Sequence, residues 1–455
     1  MREAERSTSR CHAASLVFTR KTPSSPQFTD VAWLMAGPTT LRQANATFSG
    51  DSGALRIISA TASGTTWRTG ITERSYNRHV SNSGLLRTAR AATAVAFALA
   101  VAVSAHVEQS VHAQSPSPAD SVCNIQTTER IVAVGDIHGA FDNFVAILRA
   151  AQVIDNRSRW SGRRTVLVQT GDILDRGPDS RKAIDLLRRL ERDAERAGGR
   201  VVSLLGNHEF MRLVSDWRYV SPGEIDAFKT GDSAQYRDQV FAALSQQAEQ
   251  RAKTEGREFD AAAYREQFMK EVPLGMIELR QAFGPQGEYA KWVRERPAVA
   301  KINGVLFLHG GISPEIAPLG CEGINAAVSK ELAALPPPDQ AASLMAASET
   351  GPLWYRGLAL QKEEEVAPVL PTTLEQMKAR AIVIGHSTVL PGRIVSRLDG
   401  RVILIDTGMV NGEFYPGGVS SALEWNGTMV TAIYLDRREP LVAPALQSAA
   451  PAASR

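Results

Sequence analysis

From residue 129 onward, short apolar runs alternate with longer amphipathic stretches. Arg130 to Gly135 reads as a buried strand, apolar and rich in β-branched Ile and Val. Phe144, Ile147 and Leu148 mark a helix after Gly139. Thr165 to Thr170 predicts a second strand. Ser180 to Ala197 predicts a charged amphipathic helix, with Ile184, Leu187 and Leu190 on one face and Gly198-Gly199 as its stop. Val201 to Leu205 predicts a third strand. Strands alternating with helices indicate a layered α/β fold.

The pattern changes from Leu213 to about Arg296. This stretch is polar, long and poor in β-branched residues, so 213–296 reads as a helical insertion or cap. Val305 to Leu308 resumes the strand pattern. Residues 332–376 are irregular, with Pro336-Pro337-Pro338 and an acidic run, Glu363 to Glu365, that reads as a solvated face. Ala381 to Ile384, Arg393 to Leu398, Val402 to Ile405, Gly418 to Trp425 and Met429 to Leu435 are closely spaced strands. Asp399-Gly400 and Asn426-Gly427 supply hairpin turns between them, which predicts a largely antiparallel C-terminal part. The folded domain is expected over 129–438, with a Pro/Ala-rich disordered tail at 439–455.

The N-terminal region differs. Residues 1–86 are rich in Ser, Thr, Arg and Ala without a sustained period. Arg87 and Arg90 then precede an apolar run, Ala91 to Ala105, followed by Val111-His112-Ala113. A basic start, an apolar middle and a small-residue end make 87–113 a secretory signal peptide. The run is Ala-rich and shorter than the roughly 20 residues a bilayer span needs, which disfavours the alternative of a membrane anchor. Cleavage after Ala113 would start the mature chain at Gln114, ahead of a linker over 114–128. The expected location is periplasmic or secreted, with no stable membrane insertion after cleavage. A signal peptide beginning so late implies translation starting near Val80, with 1–86 an unstructured or upstream stretch.

Charge adds one exclusion. The net charge is +3, but residues 1–113 hold 12 of the 51 Lys and Arg and only 6 of the 48 Asp and Glu, leaving the remainder near −3. That is no basic footprint for nucleic acid. Three cysteines, Cys11, Cys123 and Cys321, exclude a disulfide scaffold and a CxxC zinc site. After export Cys123 and Cys321 could pair, or could be two separate buried thiols.

Five motifs then carry the chemistry: Gly135-Asp136-Ile137-His138-Gly139, Gly171-Asp172-Ile173-Leu174-Asp175-Arg176-Gly177, Gly206-Asn207-His208-Glu209, His309-Gly310-Gly311 and Gly385-His386. Each follows an apolar strand, where α/β proteins build sites. Asp136 and His138 are two apart, so an extended segment would point both the same way. Asp172 suits a bridging carboxylate, Asn207 offers a carbonyl oxygen, and His309 and His386 offer imidazole nitrogens. One such motif alone is usually a turn; five in order at strand ends form a ligand set for two divalent cations. Mixed N/O ligation favours Mn, Fe, Zn or Co over Ca or Mg. Neither Cys123 nor Cys321 lies in a Cys-x5-Arg phosphate loop.

These motifs resemble those of the calcineurin-like metallophosphoesterases, and within them the phosphoprotein phosphatases. Leu353-Trp354-Tyr355-Arg356-Gly357 and Gly385-His386-Ser387-Thr388 are similar to the bacterial, Shewanella-like branch. The resemblance spans roughly Arg130 to Leu435 and implies a layered fold, a central β-sandwich flanked by helices. It implies that Asp136, His138 and Asp172 hold one metal, and that Asp172, Asn207, His309 and His386 hold the other. Many metallophosphoesterases carry a second His two residues after the one matching His386; Thr388 stands there, as in the phosphoprotein phosphatases. His208 and Asp175 would form the acid dyad, a histidinium held by a carboxylate. Arg176 and Arg356, with Asn207, would bind phosphoryl oxygens, since a guanidinium fork grips two oxygens and never titrates. The implied reaction is direct attack by water activated between two ions, with His208 protonating the leaving group.

The departures concern the substrate. The glycine-rich region 406–418 differs from the loops that eukaryotic Ser/Thr phosphatases place around their groove. Gly177-Pro178-Asp179-Ser180 resembles bacterial diadenosine polyphosphate hydrolases, which usually lack the Asp175-Arg176-Gly177 sequence. The leading expectation is a phosphatase of phosphotyrosine or phosphoserine/threonine in proteins, or of a small phosphoester. The alternative is a dinucleoside polyphosphate or nucleotide hydrolase. A non-catalytic binding protein is disfavoured, because no ligand is missing.

Overall fold

A computed structural model of the chain describes residues 121–336 and 338–443. The upstream segment 1–86, the signal peptide 87–113, residues 114–120 of the linker and residues 444–455 of the tail lie outside the described residues. Among the described residues no helix is long and apolar enough to cross a membrane.

The first half alternates as its pattern predicts: β1 (Ile131–Val134), α1 (Phe141–Ala150), β2 (Val166–Gln169), α2 (Ser180–Arg196) and β3 (Arg200–Ser203). The three strands pair in parallel, Ile131 opposite Val166 and Val166 opposite Arg200. A short helix, α3 (Asn207–Leu213), follows. The insertion is helical: α4 (Pro222–Asp226), α5 (Ser233–Thr254), α6 (Ala261–Glu271), α7 (Met276–Ala282) and α8 (Glu288–Arg294). Then come β4 (Val299–Ile302), β5 (Val305–Leu308), α9 (Gly320–Ala333), β6 (Ala381–Ile384), β7 (Val395–Arg397), β8 (Val402–Leu404), β9 (Ser421–Asn426), β10 (Met429–Tyr434) and β11 (Arg438–Leu441).

The strands form two sheets, ordered β11-β10-β9-β1-β2-β3 and β4-β5-β6-β8-β7. Period-2 alternation explains the layering. Ile131, Ala133, Val166 and Val168 meet Ile302, Phe307, Val383 and Ile403 in the core between the sheets. Val132, Val134 and Leu167 turn the other way, onto Phe144, Ile147, Ile184 and Leu187 of α1 and α2. Central strands buried on both faces read as unbroken apolar runs, as these do.

Two differences from the sequence reading have physical reasons. The C-terminal part is antiparallel in the β7–β8 hairpin, in β9–β11 and where β9 meets β1, but β6 is an exception and pairs in parallel with both β5 and β8. Hairpin dipeptides report sequence neighbours, whereas β6 reaches β5 across a long connection. Strand β4 was not expected, although Asn303-Gly304 stands before β5 with both φ positive, 50° and 77°, as a tight hairpin requires. At the other end residues 439–441, expected as the start of a disordered tail, belong to β11, which pairs with β10 and brings Pro440 onto a sheet edge, where its missing N–H is tolerated.

The cysteine alternatives resolve to a pair. Cys123, in a single 3-10 turn ahead of β1, is disulfide-bonded to Cys321 at the start of α9, with Cα atoms 5.8 Å apart across a separation of 198 residues. Cross-linking so long a loop restricts the unfolded chain. Replacing both cysteines by Ser is expected to lower stability by about 2–5 kcal/mol in urea unfolding, and reduction of the parent should match it.

Candidate active site

All candidate ligands emerge where parallel strands end. Asp136 and His138 follow β1, Asp172 follows β2, Asn207 opens α3 after β3, His309 follows β5 and His386 follows β6. The backbone there is unusual. His138, Asp172, Asp175, Arg176 and His386 adopt φ of 46°, 55°, 70°, 67° and 63°. Non-glycine residues in this region cost about 1–3 kcal/mol each and persist where the surroundings over-determine them. His138 is thus not extended, and the two-residue spacing from Asp136 works through a left-handed turn instead.

Glu209 supplies much of that determination. Its buried carboxylate accepts four main-chain N–H bonds: Asp172 (2.7 Å) and Gly206 (3.0 Å) at Oε2, Ile173 (2.8 Å) and Leu174 (3.2 Å) at Oε1. The loop after β2 is so tied to the loop after β3. Close backbone approach completes the joint: a Cβ on Gly171 would lie 2.5 Å from Gly206 Cα, and one on Gly385 2.4 Å from Asp136 Oδ1.

The ligand atoms converge. Asp172 Oδ2 lies 3.5 Å from His138 Nε2, 3.2 Å from His309 Nε2 and 3.8 Å from His208 Nε2. Asp136 Oδ2 lies 3.8 Å from His138 Nε2, while Asp136 Oδ1 accepts from His386 N at 3.1 Å. Two groups, His138 with Asp172 and His208, and Asp172 with His309 and His386, each gather their ligand atoms within 4.8 Å. Asp172 belongs to both, the place expected of a bridge.

The charge pattern fits a pair of cations. Burial, then the Asp406 and Asp172 carboxylates, push the Asp136 carboxyl well above its ordinary range. Burial also raises Asp172, but the His309 and His208 imidazoles outweigh it and hold that carboxyl well below. Burial drives His138 down to about 3 and His386 to about 2, leaving neutral rings with ligating lone pairs. His386 Nε2 is buried without a hydrogen-bond partner among the described residues. In the tautomer where His309 Nδ1 donates to Thr170 O (2.9 Å), Nε2 carries a lone pair that faces Asn207 Oδ1 at 2.8 Å. Two facing acceptors and unbalanced buried carboxylates are what divalent cations satisfy.

The dyad is formed as well. His208 Nδ1 donates to Asp175 Oδ2 at 2.7 Å. Burial lowers the imidazole, but Asp172 and the Asp175 bond overcome it and raise its pKa. Arg176 lies beside them, donating to Tyr415 Oη at 2.6 Å and contacting His138 Nε2. Arg356 donates to His386 O (2.7 Å) and Ser387 Oγ (3.2 Å), which sets it next to the last ligand.

Two of the site residues left unassigned in the sequence lie in 406–418. Asp406 is buried and accepts from Thr388 Oγ1 (2.5 Å) and Gly408 N (3.0 Å), so the position lacking a second histidine serves to hold a third carboxylate. Tyr415 meets Arg176 and sits 6.3 Å, ring to ring, from His138. Its glycine-rich surroundings gave no sign of it. Tyr219, at the head of the insertion, is 5.1 Å from the His208 ring.

Two helix-flanked sheets with this ligand cluster at their strand ends define a metallophosphoesterase. The family model of the calcineurin-like phosphoesterases matches residues 129–389, and the chain belongs to that family. It is 35% identical to an uncharacterised Schizosaccharomyces pombe protein over 291 residues, 61% of this chain and 73% of that one. It is 28% identical over 290 residues to Shewanella-like protein phosphatase 1 of Plasmodium berghei, 63% and 68% of the two chains. The crystal structure of the cold-active protein-tyrosine phosphatase of a psychrophilic Shewanella sp. aligns with a TM-score of 0.51 and 25% identity, covering 70% of this chain and 81% of that one. These likenesses support the Shewanella-like branch.

Glu209→Gln turns an amide N–H₂ toward main-chain donors. It is expected to cost about 2–3 kcal/mol in urea unfolding and to weaken metal uptake measured by calorimetry.

Proposed function

We propose that the chain is a metal-dependent protein phosphatase that hydrolyses phosphomonoesters of tyrosine, serine or threonine. One observation carries the reading: a carboxylate oxygen of Asp172 is common to three imidazoles, His138, His309 and His208, and the last of these is held by Asp175 beside an arginine. The family, and the phosphatase names of the Plasmodium berghei and Shewanella sp. proteins, support it.

Asp136, His138 and Asp172 would hold one cation, and Asp172, Asn207, His309 and His386 the other. Their mixed N/O donors suit Mn, Fe or Zn. When bound, the ions polarise the phosphoryl group and activate water. The residues do the rest. Arg176 and Arg356 grip the non-bridging oxygens and offset the charge that builds on them. The amide N–H₂ of Asn207, a donor that a phosphoryl oxygen can accept, and the fixed turns keep the phosphoryl group in one orientation. Asp175 accepts from His208 Nδ1, so the proton to be delivered sits on Nε2. His208 passes it to the departing alkoxide or phenoxide. Burial of the dyad keeps bulk water from substituting as the acid.

The test sets the chain from Gln114, with Mn supplied, against a phosphotyrosine peptide, a phosphoserine peptide and diadenosine tetraphosphate. Turnover of a phosphopeptide is expected, abolished by a chelator and restored by Mn. His208→Ala should lower kcat by about 10²–10⁴-fold on that peptide. Preference for the dinucleotide would overturn the protein-phosphatase reading.

We also propose export, with cleavage after Ala113. The Cys123–Cys321 pair supports this, since such bonds persist in oxidising compartments. N-terminal sequencing of the native protein should read from Gln114; a mature terminus before residue 80 would overturn the late start.

A further inference from the structure

The insertion is joined to the dyad at its first turn. Arg176 N donates to Tyr219 O at 2.8 Å, and Ser221 Oγ donates to Gly177 O at 2.9 Å. Ser221 also caps α4 by accepting from Glu224 N. Beneath these contacts runs a buried ionic chain. Arg212 Nη2 donates both to Asp175 Oδ1 (2.5 Å) and to Glu224 Oε1 (3.0 Å), and all three side chains are at most 1% exposed. The Arg212 guanidinium lies 5.0 Å from the Trp217 ring and 4.9 Å from the Phe283 ring of the insertion. Among the described residues its Nε and Nη1 have no hydrogen-bond partner, nor has Glu224 Oε2.

That arrangement is costly for fold alone. Buried ion pairs seldom outperform apolar residues of the same shape, because desolvation offsets the attraction. What it supplies is orientation. Asp175 has two oxygens: Oδ2 takes the His208 Nδ1 proton, and Oδ1 is held by Arg212. Without Arg212 the carboxylate could turn about its Cβ–Cγ bond, and His208 with it. Glu224 fixes the guanidinium and shares its positive charge, so that Asp175 keeps enough negative charge to stabilise a histidinium. Burial opposes that charge on Glu224 and, although Arg212 counters it, pushes the Glu224 carboxyl up to about 7.

We propose that Arg212 and Glu224 are positioning residues for the acid, acting through Asp175, and that the insertion thereby sets the efficiency of leaving-group protonation. The inference rests on His208 being the general acid. It goes beyond that reading by giving residues outside the five motifs a part in the reaction.

The discriminating measurement is leaving-group dependence. Phenyl phosphate releases a basic phenoxide that needs the proton, while p-nitrophenyl phosphate releases an anion that needs it far less. Glu224→Gln and Arg212→Lys, loaded with Mn beside the parent chain and His208→Ala, are assayed on both. On phenyl phosphate both variants are expected to lose about 10- to 100-fold in kcat with KM little changed. On p-nitrophenyl phosphate the loss should be several times smaller. His208→Ala should show the same selectivity, more strongly. Equal losses on the two substrates, or none, in variants that keep the parent's circular dichroism would overturn the positioning role while His208→Ala keeps its selectivity. Loss of the fold in both variants would assign the pair a structural role and overturn it equally. If His208→Ala itself shows no selectivity, the acid assignment fails and the inference falls with it.

Discussion

The site depends on one carboxylate that touches no substrate. Glu209 gathers four main-chain N–H groups from two loops and so decides where Asp172, Asp175, Arg176, Asn207 and His208 stand relative to one another. Bonds to a charged acceptor are stronger than neutral ones, and burial makes them hard to exchange for water. With the loops locked, the left-handed turns at Asp172, Asp175 and Arg176 become affordable. Their strain is met by the joint, and the side chains lose the freedom to turn away from each other.

Around that joint the electrostatics are arranged in opposition. Asp136, Asp172 and Asp406 face one another in a place that water barely reaches, and neutral imidazoles line the same space. Burial and the neighbouring carboxylates push Asp136 and Asp406 up, toward the protonated form, while the imidazoles hold Asp172 charged. Cations resolve the conflict, and here metal binding and the stability of the loop ends are the same problem. The dyad is solved differently, by Arg212, a fixed positive charge inside the protein. One half of the site therefore relies on exchangeable cations and the other on a permanent one.

Much of this was legible along the chain. The six candidate ligands and His208 could be read because strand, glycine and polar residue follow each other locally, and the same local order fixed β1, β2, β3, β5 and β6. What could not be read involved partners far away in sequence. Strand β6 gave no sign of its two parallel neighbours. His138 sits in a left-handed turn where spacing suggested an extended one. Tyr415 and Asp406 lie in a glycine-rich stretch with no period, and reach the site only because β8 pairs with β6 and carries residues 405–418 across Thr388 and Arg176. The disulfide was an even choice until the fold brought Cys123 beside α9.

By itself, the sequence singled out the residues of the proposed chemistry, the candidate metal ligands and the candidate acid, and that each stands at a strand end. Those facts are local, written in runs of a few residues whose backbone preferences are strong. The tertiary structure alone decided how the pieces face each other. Asp172 belongs to both candidate metal groups because strand ends of two sheets converge on it, and Arg212, one turn beyond a known motif, meets Asp175 while the insertion folds back to supply Glu224. Such contacts join residues through packing and burial rather than through order along the chain, and no local pattern encodes them.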